Sequence, residues 1–206
     1  MAITIKSERE ISRMREAGKI LADVHDRLEE IIAPGITTLD IDRKGEELIR
    51  KAGCIPSFLN YEGYPASICV SVNDEVVHGI PTDSRKLEEG DIVSLDAGVI
   101  YEGYHSDAAR TYGVGTISDE AKRLIEITRL SFYEGIKNAY AGNHLHDISA
   151  SIQKFVEKNG FSVVRDLVGH GVGAQLHEEP QIPNYKPVGR GPKLRPGMTL
   201  AIEPMV

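Results

Sequence analysis

Residues 92–101 and 104–114 both have strand character, and only Glu102-Gly103 separates them. So short a link containing glycine predicts an antiparallel hairpin. With that turn, Asp107 falls opposite Gly98, and side chains alternate between faces. Asp96 and Asp107 then share one face as diagonal neighbours, about 7–8 Å apart or less. Gly98 is expected to leave space between them. Two carboxylates that close in a partly buried site repel each other and lose hydration. A cation between them removes both penalties. Either Asp alone reads as a solvated hairpin carboxylate or as a partner for Arg110; the pair favours a metal ion.

The rest of the chain surrounds this hairpin with helices. Ser7 and Glu10 form a capping box. Behind it Ile11, Met14, Ala17, Leu21, Val24, Leu28 and Ile31 make one helical stripe, which Pro34-Gly35 ends. A second helix is predicted over Thr38–Ala52, capped by Gly53. Asn60–Pro65 reads as loop, and Ser67–Asn73 as a strand. Ser118, with Asp119 and Glu120, opens a third helix bearing Leu124, Ile127, Leu130 or Ser131, and Ile136. A fourth runs over Leu145–Lys158 and stops at Gly160. Phe161–Val164 reads as a short strand, and Met198–Val206 as a final one. This order predicts an α+β fold built from two similar halves, with residues 1–206 as a single domain.

Composition narrows the function. A net charge of −7 argues against a uniformly basic nucleic-acid face. No apolar run approaches the ~20 residues of a membrane helix. The N-terminus lacks a signal pattern and is too acidic for a transit peptide. Two cysteines, Cys54 and Cys69, make no disulfide framework, so both are expected reduced and the chain cytoplasmic.

Other residues could carry chemistry. His170 sits in Gly169-His170-Gly171-Val172-Gly173, where glycines permit close backbone approach and unusual dihedrals. His177-Glu178-Glu179-Pro180 follows in the same loop region, with both glutamates read as solvated. Glu203 shares the facing of Ala201 on the final strand; alone it is an edge-strand glutamate, which Pro204 tolerates. His78 follows two apolar residues and could equally be a packed turn histidine. Asp, Asp, His and Glu together, with two further histidines, suit Mn, Fe, Co or Zn at a hydrolytic site. There is no P-loop, no dinucleotide fingerprint and no Gly-x-Ser-x-Gly elbow.

Five segments, taken in order, resemble the type I methionine aminopeptidases. They are Asn73–Pro81, Asp91–Asp96, Gly169–Gly173, His177–Pro180, and Pro196–Thr199 with Ile202–Val206. The resemblance implies the pita-bread α+β fold, with helices packed on a curved antiparallel sheet. It implies Asp96 and Asp107 as metal ligands, Asp107 bridging two divalent ions, and His170 and Glu203 holding the ion on their side. His78 and His177 would contact substrate and stabilise the tetrahedral intermediate. Glu203 is the expected proton acceptor. Tyr61, Tyr64 and Cys69 match positions near the methionine pocket.

The implied reaction is removal of the initiator methionine from nascent proteins when the next residue is small, by a metal-bound hydroxide attacking the first peptide bond. The implied enzyme is a monomer with transient ribosome contact. The family continues through a second bridging glutamate that lies beyond Val206. The domain is therefore expected to be C-terminally incomplete, as a fragment or a shortened member, with one of its two ions weakly bound. Two rivals stay open: a proline-specific aminopeptidase of the same fold, against which the lack of an N-terminal domain counts, and a non-catalytic pita-bread protein that binds partners.

Overall fold

The computed structural model describes residues 2–206, which form two compact units. One is Ser12–Lys122; the other is Arg123–Val206 together with the chain up to Ile11.

In the Ser12–Lys122 unit, helices α1 (Glu8–Glu29) and α2 (Thr38–Lys51) accompany strands β1 (Ile55–Pro56), β2 (Ile68–Val72), β3 (Ile92–Tyr101) and β4 (Tyr104–Gly113). The Ser7–Glu10 capping box forms, with the Ser7 N–H donating to Glu10 at 2.7 Å. A second box, Thr37 with Asp40, starts α2, and Gly53 follows its end at φ 76°. All ladders are antiparallel. β4 pairs the whole of β3 on one edge, while β2 and then β1 share the other.

Alternation gives the sheet two unlike faces. Ile68, Val70, Val72, Val93, Leu95, Ala97 and Val99 are buried with Ala17, Leu21, Val24 and Leu28 of α1 and Ile41 and Ile49 of α2. Each such large side chain contributes roughly 1.5–3 kcal/mol by leaving water. Cys69, Ser71, Ser94, Asp96, Asp107 and Thr111 occupy the alternate positions of the same strands. Two buried polar side chains serve the fold. The buried Asp42 carboxylate accepts the N–H groups of Ser67 and Ile68 at 2.8 and 2.9 Å, which fixes the start of β2. His25, in the buried stripe of α1, reaches the Ala108 carbonyl on β4 at 2.8 Å.

In the other unit, α3 (Asp119–Ile136) is capped by the Ser118 hydroxyl and runs before α4 (Leu145–Lys158). Ile127, Ser131 and Gly135 are its buried positions, rather than Leu130 and Ile136. A Cβ at Gly135 would lie 2.8 Å from Ile152, so the small residues let α3 approach α4 closely. A three-stranded antiparallel sheet follows, ordered β6 (Glu178–Pro183), β5 (Val168–Gly171), β7 (Leu200–Ala201). Its core is Leu145, Ile148, Ile152, Val156, Val163, Ile182 and Leu194. Two expectations fail here. Phe161–Val164 forms no ladder; its Phe161 N–H donates to the Val156 carbonyl at 3.3 Å and its Val164 N–H to the Met205 carbonyl at 2.9 Å. The final strand is confined to Leu200–Ala201, so Glu203 lies beyond the paired residues. Among the described residues no helix is long and apolar enough to cross a membrane.

Candidate active site

The hairpin register is as expected. Glu102 and Gly103 adopt φ of 47° and 83° in the turn. Gly98 pairs with Asp107 and Asp96 with Ala109, so the two aspartates share a face, offset by two positions. Cys69 of β2 pairs with Asp96 and joins that face. Gly98 does not leave the open space expected of it: a Cβ there would lie 2.7 Å from Ser57 Cβ and 3.0 Å from Phe58 Cε1. The glycine admits the segment after β1, whose Ser57 N–H donates to the Gly98 carbonyl at 2.9 Å.

Tyr61 opens a single 3-10 turn (Tyr61–Gly63) where plain loop was expected. Tyr64 follows it and donates its hydroxyl to the Ile68 and Gly79 carbonyls, at 3.1 and 2.8 Å. Burial pushes the Tyr64 phenol well up, so it stays a donor. Burial also pushes the Cys69 thiol up to about 12; a Tyr64 hydrogen bond opposes this, and the Asp96 and Asp107 charges add to it. His78 is exposed, on a backbone at φ 59°, and is not a packed turn histidine.

In the other unit His170 lies on β5 rather than in a loop. Its glycine neighbours serve approach, not unusual dihedrals, since neither has positive φ. A Cβ at Gly169 would meet the Ala201 carbonyl oxygen at 2.4 Å, and one at Gly171 the Glu179 oxygen at 2.3 Å. The buried imidazole sets Nδ1 2.8 Å from the Gly171 carbonyl, which can only accept, so Nδ1 carries a proton. In the neutral ring, Nε2 then aims a lone pair at Glu203 Oε1, 3.2 Å away. Lone pair and carboxylate repel unless a proton or a metal cation lies between them. His177, exposed, stacks edge-on against His170 with ring centroids 4.2 Å apart.

The sequence pattern of metallopeptidase family M24 matches residues 12–206. The methionine aminopeptidase of Clostridium perfringens is 58% identical over 204 residues, 99% of this chain and 82% of that protein. This chain belongs to the methionine aminopeptidases of family M24. Crystal structures agree. The methionine aminopeptidase of Thermotoga maritima is 47% identical with a TM-score of 0.96, over 98% of this chain and 82% of that one. That of Rickettsia prowazekii, at 40% identity, has the same TM-score and coverage. The fold is accordingly the pita-bread α+β fold.

In this methionine aminopeptidase chain, Glu178 departs from the solvated charge expected of it. Its side chain is 10% exposed and pairs with Lys6, itself 5% exposed, while Thr4 also donates to it. A Cβ at Gly173 would strike this pair, lying 2.4 Å from Lys6 Cε and 2.5 Å from Glu178 Oε1. The pair therefore fixes the loop that ends in His177. Sequence reasoning overlooked Lys6; the only local sign was a lysine between the apolar Ile3 and Ile5 and the helix cap.

Proposed function

We propose that this chain removes the N-terminal methionine of nascent proteins whose second residue is small, as a metal-dependent exopeptidase. The observation that carries this reading is 58% identity across 99% of the chain to a methionine aminopeptidase. The reading assigns Asp96, Asp107, His170 and Glu203 as ligands to two divalent ions of the Co, Mn, Fe or Zn kind. Three carboxylates and one imidazole suit such ions, and a cation relieves the opposition of the His170 lone pair and Glu203. Bound there, the ions supply Lewis-acid polarisation of the scissile carbonyl and a water of lowered pKa.

The chain's own residues do the rest. His78 and His177 donate imidazole N–H groups toward the carbonyl oxygen as its charge develops. Glu203 accepts a proton at a carboxylate oxygen. Tyr61, Tyr64 and Cys69 wall the pocket for the unbranched thioether side chain, which fills irregular apolar space well. The proposed setting is the cytoplasm, with a monomer that meets its substrates during transient ribosome contact.

The test uses protein stripped with a chelator and resupplied with Co, Mn or Fe ions, on Met-Ala-Ser and Ala-Pro-Ser peptides. Free methionine should appear only with metal, and Ala-Pro-Ser should stay intact. Cleavage before proline with Met-Ala-Ser untouched would overturn the reading.

A further inference from the structure

His78 occupies the left-handed region at φ 59°, which a residue with a Cβ seldom adopts. Its side chain is exposed, so no packing of the imidazole in the interior demands that backbone. The next residue does. Gly79 is buried, and both its backbone groups are tied. Its N–H donates to Ser71 Oγ at 3.0 Å. Its carbonyl accepts the Val70 N–H at 3.0 Å and the Tyr64 hydroxyl at 2.8 Å.

The seat is tight. A Cβ on Gly79 would stand 2.2 Å from the Val70 carbonyl oxygen and 2.8 Å from Ser71 Cα. Ser71 is 3% exposed, on the strand face that also carries Cys69. Its hydroxyl reaches the Gly79 amide from within the sheet, so the ordered strand dictates the position of a peptide group in an otherwise exposed loop. Backbone strain of this kind persists only where the surroundings over-determine it.

We infer that Ser71 and Tyr64 are positioning residues for His78: their hydroxyls lock the Gly79 peptide group and so hold the left-handed backbone that aims the exposed imidazole at the scissile peptide. This rests on the substrate role proposed for His78. Ser71 acts through the Gly79 peptide group. Its removal frees the Gly79 amide and lets His78 relax toward ordinary φ.

The experiment is a double-mutant cycle on the metal-loaded full chain with Met-Ala-Ser peptide. His78→Ala should lower kcat. Ser71→Ala should lower kcat by roughly 10- to 100-fold, as misplacement of a reacting group does, with KM little changed. The double variant should be no slower than His78→Ala alone, because residues acting through one another are non-additive. A readout independent of turnover is the His78 ring proton and carbon resonances, which should move in Ser71→Ala. Tyr64→Phe is the second variant, expected to show the same non-additivity with His78→Ala should Ser71→Ala fail to fold. Independent, multiplying losses would overturn the positioning role and leave the role of His78 standing. Full kcat in His78→Ala would overturn both.

Discussion

Asp107 stands directly across the β3–β4 ladder from Gly98, and Asp96 lies two positions along on the same face. Ser57 and Phe58 fill the space over Gly98, and the ladder register puts both aspartates on one face. If Asp107 is the ligand shared by two ions, Asp107→Asn removes charge from both sites at once. Divalent-ion affinity measured by calorimetry should fall by more than about 100-fold, roughly 2.7 kcal/mol. Unchanged stoichiometry and affinity would remove Asp107 from the ligand set.

The hairpin was legible because a link of Glu102-Gly103 leaves one register, and register fixes facing. Helix ends were legible where a side chain closes them, as at Ser7 and Ser118. What escaped depends on partners distant in sequence. Gly169-His170-Gly171 contradicts strand propensity, yet it is β5, because the glycines let Ala201 and Glu179 come close. On α3 the periodicity left Leu130 or Ser131 open, and Ser131 is buried because α4 packs against the small side. Glu178 looks solvated in any local window, since Lys6 lies 172 positions away. Resemblance is what puts forward His78, Asp96, Asp107, His170, His177 and Glu203 as a set; the hold that Ser71 has on Gly79 has no such sign, since nothing in the strand pattern marks one serine hydroxyl as reaching a loop amide.

The Lys6–Glu178 pair should carry stability. Removing one partner leaves an uncompensated buried charge, so Lys6→Met should cost about 3–5 kcal/mol in urea unfolding. Lys6→Met with Glu178→Leu should recover much of it. Burial alone would raise the Glu178 carboxyl, but hydrogen bonds from Lys6, Thr4 and the Gln175 N–H hold it below its ordinary value of 4.5. A depressed folded-state pKa gives stability that is present above the unfolded value and lost as pH falls through the folded one. Acid sensitivity below 4.5 should therefore weaken in the double variant. If the double variant is as unstable as Lys6→Met, uncompensated charge is not the cause of the loss.

Cys54 and Cys69 are both free and buried. With the Cys69 thiol pushed up to about 12 by burial, little thiolate exists near neutral pH. A disulfide-exchange reagent at pH 8 should titrate two thiols in denatured, unreduced protein and react far more slowly with the native chain. Rapid labelling of native Cys69 would show that its surroundings open to solvent on that timescale. A denatured count of zero would mean the pair is oxidised.

His25 makes a pH prediction of opposite origin to that of Glu178. It is 0% exposed, and burial lowers its pKa from 6.5 to about 4, against the hydrogen bond to the Ala108 carbonyl, which raises it. The ring is therefore neutral in the folded chain, with Nε2–H donating to that carbonyl next to Asp107. Because the folded value lies below the unfolded one, the unfolded chain binds the extra proton first. Stability should hold above pH 6.5, decline as pH falls from 6.5 toward 4, and stop declining from this cause below it. The loss over that window is at most about 3 kcal/mol. A glutamine can donate to the same carbonyl without titrating, so His25→Gln should flatten the dependence between pH 6.5 and 4 whatever its absolute stability. Urea midpoints at half-unit pH steps measure the slope directly. Parallel curves for the parent and His25→Gln would mean that this histidine is already protonated in the fold or that its burial is not what couples α1 to β4.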